Sequence, residues 1–78
     1  FTVDLDVMDP SVFPGTGTPE PGGVSYMELQ RAVTEVCRKA EGIGCDVTEL
    51  SPPFDPTGAS TAAACKIIRE MLIALGTK

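Results

Sequence analysis

Thr2-Val3-Asp4-Leu5-Asp6-Val7-Met8-Asp9-Pro10 is the stretch on which the fold turns. Phe1 to Asp6 reads as a buried strand, with side chains alternating between the two faces of a sheet. Alternation puts Asp4 and Asp6 on one face and Leu5 on the other. Two carboxylates that close repel each other, and a cation between them offsets the repulsion. Hard oxygen donors suit a divalent ion such as Mg²⁺ or Mn²⁺. A plainer reading is also open here. The strand runs into an Asx-Pro turn at Asp9-Pro10, and Asp4 and Asp6 are simply solvated.

Outward from this stretch, Val7 to Val24 has too many Pro and Gly residues for regular structure. Loops of this length are usually functional or disordered. Its glycines are not a phosphate cradle, because no Lys-Ser/Thr closes the segment. Ser25 then opens a helix. Ser25 and Glu28 form a capping box, each side chain satisfying a backbone donor. Leu29, Ala32, Val33, Val36, Cys37 and Ala40 follow at helical spacing, with Glu28, Arg31, Glu35, Arg38 and Lys39 on the wet side. Gly42 ends the helix.

Ile43, Cys45 and Val47 alternate with Gly44, Asp46 and Thr48, which predicts a second strand. Ser51 to Gly58 is a loop. The last helix runs from about Ser60 to Leu75, with Gly76 as its terminator. Its apolar residues wrap most of the circumference, so both of its sides are expected to be buried, one on the sheet and the other on the rest of the protein or another subunit. The order is strand, helix, strand, helix. Strands joined through a helix run parallel in a right-handed crossover. Sites in such sheets form beyond the carboxyl ends of the strands, where Asp4, Asp6 and Glu49 all fall. Glu49 shares its face with apolar Cys45 and Val47, and a carboxylate there needs a partner. A fixed guanidinium is a good one. Solvent or a structural Arg is the alternative.

The chain has 78 residues and a net charge of −5, with six scattered basic residues. A chain this short buries only about 60% of its unfolded surface and is marginal alone. It also begins inside a strand-like run, which suggests the C-terminal part of something larger. The charge argues against nucleic acid and suits a cationic substrate. Cys37, Cys45 and Cys65 form no C-x-x-C pair and sit in apolar patterns, so buried reduced thiols are expected rather than disulfides or zinc. Lys66, Arg69 and Glu70 interrupt the longest apolar stretch, so no membrane span is expected. No signal peptide is visible, and a cytoplasmic protein is expected.

The segment Thr2 to Gly23 resembles the ureohydrolase family of arginases, agmatinases, guanidinobutyrases and their relatives. That family's signature is matched at Thr2, Val3, Asp4, Leu5, Asp6, Pro10, Pro14-Gly15 and Gly23. Asp46-Val47-Thr48-Glu49-Leu50-Ser51-Pro52 is similar to its next motif, a strand ending in Glu followed by Pro. Pro-Gly-Thr-Gly-Thr-Pro-Glu-Pro-Gly-Gly and Leu-Ser-Pro-Pro-Phe-Asp look more like the agmatinase branch than the arginase branch.

The resemblance implies that residues 1–78 are the C-terminal β-α-β-α portion of a three-layer α/β/α fold with a parallel sheet. It implies two Mn²⁺ ions per site, which activate a water against the resonance-stabilised guanidinium and release urea. Asp4 would bridge both ions and Asp6 would bind one. Glu49 would pair with the guanidinium, and Thr18 would help bind substrate. Thr2 would either orient a metal-binding His or serve as a plain strand former. Asp46 would be structural. Agmatine, giving putrescine, is the expected substrate, with arginine and 4-guanidinobutyrate as alternatives, in a trimer or hexamer.

The chain has no histidine, whereas the family's His ligands, its other two Asp ligands and its catalytic His come from upstream motifs. The remainder of the enzyme is thus a required partner, and this piece alone is expected to be inactive. Two other readings stand beside this one. Asp4-Leu5-Asp6-Val7 also resembles the D-x-D motif of haloacid-dehalogenase-type Mg²⁺ phosphatases, although the later acidic pair is missing. A ureohydrolase-like protein without activity is the other.

Overall fold

A computed structural model describes residues 1–77. Strand β1 is Thr2–Asp4, helix α1 is Tyr26–Lys39, strand β2 is Asp46–Thr48 and helix α2 is Ala59–Gly76. Short 3-10 turns follow β1 at Leu5–Val7 and precede α2 at Pro52–Phe54. The strands pair in parallel, with Thr2 opposite Asp46, Val3 opposite Val47 and Asp4 opposite Thr48. The β-α-β-α order and the parallel pairing are those the sequence predicts.

Both strands are shorter than their sequence patterns. β1 stops at Asp4 because the chain tightens into a 3-10 turn, closed by the Met8 N–H on the Leu5 carbonyl at 3.1 Å. Asp6 therefore lies in that turn, not in the strand. Leu5 still enters the core, fully buried. β2 begins at Asp46 rather than Ile43. The first links are Asp46 N–H to the Phe1 carbonyl at 3.0 Å and the Phe1 amine to the Gly44 carbonyl at 2.9 Å.

Helix α1 starts as its capping box requires. The Ser25 Oγ accepts from the Glu28 N–H at 3.1 Å, and Glu28 Oε1 accepts from the Ser25 N–H at 2.9 Å. The helix ends at Lys39, three residues before Gly42, whose φ of +62° serves the turn beyond. Leu29, Val33 and Cys37 are buried, joined by Val3, Leu5, Met8 and Phe13 and by Ala64, Ile67, Met71 and Ala74 of α2. The two helices pack on each other over the sheet. These residues supply one sheet and one helical layer of the expected three.

The second side of α2, expected to meet the rest of the protein or another subunit, is open in this chain, and two of the three cysteines depart from their expected burial. Helix α2 is buried on one side, through Ser60, Ala64, Ile67, Met71 and Ala74, while Ile68, Leu72 and Ile73 are exposed on the other. Gly76 lies within α2 rather than past it. Val36 is 41% exposed, and with Phe1, Val3, Val7, Leu29 and Val33 it lines an open apolar groove of about 330 Å³. Cys37 is in the core, but Cys45 and Cys65 are exposed free thiols rather than buried ones. Among the described residues, no helix is long and apolar enough to cross a membrane.

The long Pro/Gly loop is ordered by specific bonds. Val24 N–H meets the Val7 carbonyl at 3.0 Å and Asp9 N–H meets the Val24 carbonyl at 2.9 Å, so the loop returns to its own start. Asp9 gathers the turn. Its Oδ2 accepts from the Ser11 hydroxyl and from the Ser11 N–H at 3.0 Å, and its Oδ1 from the Gly22 N–H at 2.9 Å. These bonds, the Ser11 hydroxyl first, lower the Asp9 carboxyl to about 2. Gly23 is required by close approach, because a Cβ there would stand 2.4 Å from the Val7 carbonyl oxygen. Phe13 closes the loop over the core, fully buried.

Candidate functional site

The parallel pairing brings the candidate residues to one end of the molecule. Asp4 is the last residue of β1, Asp6 follows in the 3-10 turn, and Glu49 comes directly after β2. This is the carboxyl end of both strands, where sites in such sheets form.

Each of the two aspartates is held by a threonine from elsewhere in the chain. Thr48, opposite Asp4 in the ladder, donates its hydroxyl to Asp4 Oδ1 at 2.5 Å. Thr18 donates its hydroxyl to Asp6 Oδ2 at 3.0 Å. Each carboxylate thus uses one oxygen on a hydroxyl. Among the described residues, no hydrogen bond reaches the other oxygen of either. Asp6 also borders an open cleft of about 310 Å³, lined by Val7, Glu20, Pro21, Gly22 and Gly23. Two carboxylates with one oxygen each to spare have the chemistry of hard divalent-cation ligands. Among the described residues, no group of three or more His, Cys, Asp or Glu could hold a metal ion.

Glu49 is exposed and is the one non-glycine residue at positive φ among those described, at 78°. An L-residue in the left-handed region costs roughly 1–2 kcal/mol. Such strain persists only where surrounding structure imposes it, and it clusters at functional sites. Here the chain leaves β2 and must reach Ser51, whose N–H is tied to the Gly15 carbonyl at 2.7 Å. The turn at Glu49 makes that connection.

Thr18, expected to help bind substrate, instead touches Asp6 through its hydroxyl in this structure. Thr2 donates its hydroxyl to Asp46 Oδ2 at 3.4 Å across the strand pair. Sequence reasoning missed Thr48, although its place one residue before Glu49 on a parallel strand was a usable signal. It quoted Asp55 only as the end of Leu-Ser-Pro-Pro-Phe-Asp, without a role, and missed Ser60.

The sequence profile described as Arginase family matches residues 1–74. An agmatinase of Halalkalibacterium halodurans is 44% identical over 73 residues, which cover 92% of this chain and 25% of that protein. A guanidinobutyrase of Pseudomonas aeruginosa is 40% identical over 75 residues, covering 96% of this chain and 23% of that one. The crystal structure of proclavaminate amidino hydrolase from Streptomyces clavuligerus superposes with a TM-score of 0.87 at 39% identity, over 95% of this chain and 24% of its own. The chain spans about a quarter of the length of the relatives it matches. Profile, relatives and fold agree along nearly the whole segment: the chain belongs to the arginase family.

Proposed function

We propose that these 78 residues form the C-terminal part of a dinuclear metal hydrolase that cleaves a guanidino substrate to urea and an amine. The observation that carries this reading is that Asp4, Asp6 and Glu49 all lie at the carboxyl ends of the paired strands, with a spare oxygen on each aspartate and Glu49 exposed at φ 78°. Asp4 and Asp6 would hold the metal pair, taken as Mn²⁺, together with ligands from the rest of the enzyme. The pair would lower the pKa of a water toward neutrality and polarise the substrate. Thr48 and Thr18 orient the two carboxylates. Glu49 pairs with the guanidinium through charge-assisted hydrogen bonds, and Thr18 stands at the same wall.

Agmatine is the substrate this reading favours, because two agmatinases and a guanidinobutyrase are among the most similar relatives. Family membership, more than the site, favours urea release over a phosphatase that uses Asp4 as nucleophile. On the same reading the enzyme is cytoplasmic and forms a trimer or hexamer, to which the exposed apolar side of α2 is suited. The test is urea release by the full-length protein loaded with Mn²⁺, on agmatine, arginine and 4-guanidinobutyrate, beside a phosphate ester. Urea from agmatine at the highest kcat/KM is expected. Phosphate release with no urea from any of the three would sink the reading.

A further inference from the structure

The loop that carries Thr18 is clamped from outside. Gly15, three residues before Thr18, donates its N–H to the Ser60 Oγ at 2.9 Å. Its carbonyl accepts from the Ser51 N–H at 2.7 Å, just beyond Glu49. Ser60 is fully buried in the first turn of α2 and donates its hydroxyl to Asp55 Oδ2 at 2.6 Å. The Ser60 N–H reaches the same oxygen at 2.8 Å. Asp55 is itself buried, 6% exposed. The fit leaves no slack, because a Cβ on Gly15 would lie 2.7 Å from the Ser60 Cβ.

Asp55 stays ionised at neutral pH, its carboxyl lowered to about 2 by the Ser60 hydroxyl first and then by Thr57. Hydrogen bonds to an ionised acceptor are roughly twice as strong as neutral ones. The chain of contacts is thus anchored at its far end by a fixed charge. It runs from Asp55 through Ser60 to Gly15, and from Gly15 both to Thr18 and to the strand end at Glu49.

We propose that Asp55 and Ser60 are positioning residues for the site, holding the Gly15–Thr18 segment so that the Thr18 hydroxyl stays on Asp6. This rests on the function proposed above. Thr57 is the internal control. It donates its hydroxyl to the other oxygen, Asp55 Oδ1, at 2.5 Å and accepts from the Ala59 N–H at 3.2 Å, and neither bond reaches the loop.

The experiment uses the full-length Mn²⁺-loaded enzyme with Ser60→Ala, Asp55→Asn and Thr57→Ala, each also combined with Thr18→Ala. Misplacing a substrate-positioning group by about 1 Å can cost on the order of a hundredfold, and a partly loosened loop should cost about tenfold in kcat/KM. Ser60→Ala is expected to show that loss with unchanged Mn²⁺ content. In the Thr18→Ala background the same substitution should cost less than about twofold, because residues acting through one another are not additive. Thr57→Ala should lower the melting temperature while keeping kcat/KM within about twofold of the parent.

Independent, multiplicative losses from Ser60→Ala and Thr18→Ala would overturn the proposal. So would an equal kcat/KM loss in Thr57→Ala. If Ser60→Ala does not fold, Asp55→Asn decides by the same coupling to Thr18→Ala. An unaltered enzyme that releases no urea counts against the functional reading; an active one with additive losses counts against the positioning role alone.

Discussion

Replacing Glu49 by Gly and, separately, by Ala reads the backbone and the carboxylate apart. At an ordinary position Gly is less stable than Ala by roughly 0.5–1 kcal/mol, because the unfolded chain gains freedom. Glu49 sits at φ 78°, where any residue with a Cβ pays roughly 1–2 kcal/mol and Gly pays nothing. The second effect exceeds the first, so Glu49→Gly should be more stable than Glu49→Ala by about 0.5–1 kcal/mol. The sign is inverted relative to an ordinary site. In a protein of a few hundred residues this amounts to about 2 °C in melting temperature, measured at matched protein and Mn²⁺ concentrations because bound metal shifts the midpoint. Both variants lose the carboxylate. A charged hydrogen bond is worth about 1.5–3 kcal/mol, so both should lose at least about tenfold in kcat/KM, with metal content intact. A Glu49→Gly protein that melts at or below Glu49→Ala would refute the strain argument. Full activity in both would remove Glu49 from substrate binding.

Two further outcomes are expected. Asp4→Asn in the full-length enzyme should lower both bound Mn²⁺, read by atomic emission, and urea release by orders of magnitude, since it removes an anionic oxygen from a shared ligand; normal metal content with full activity would take Asp4 out of the metal site. Stability should also fall in acid. Asp55 has a depressed carboxyl at about 2, against about 3.9 in an unfolded chain. Its contribution is therefore complete above about pH 4 and is lost as the pH falls toward about 2. Denaturant melts at about pH 7, 4 and 2.5 should show a shallower acid decline for Asp55→Asn than for the parent, and identical slopes would contradict this.

Local chemistry made much of this chain legible in its sequence. The Ser25/Glu28 capping box, the apolar spacing of Leu29, Val33 and Cys37, and the strand-helix-strand-helix order depend on neighbours within a turn or two. The candidate ligands Asp4 and Asp6 and the candidate substrate group Glu49 were legible because motif and strand polarity are both linear features. Tertiary structure decided the rest. The chain tightens after Asp4, so Asp6 fell into a 3-10 turn, and Ile43 lies outside the ladder. Thr48 meets Asp4 only once the parallel register is set, across 44 positions. Gly15 meets Ser60 across 45, and nothing near either residue announces the contact. Glu49 has a left-handed backbone because the chain after β2 is drawn to Gly15, not because of any preference of glutamate. The sequence by itself thus determined which groups stand at the strand ends. Long-range closure of the Pro/Gly loop onto α2 determined how they are held, because hydrogen bonds between distant segments exist only after the chain has folded around them.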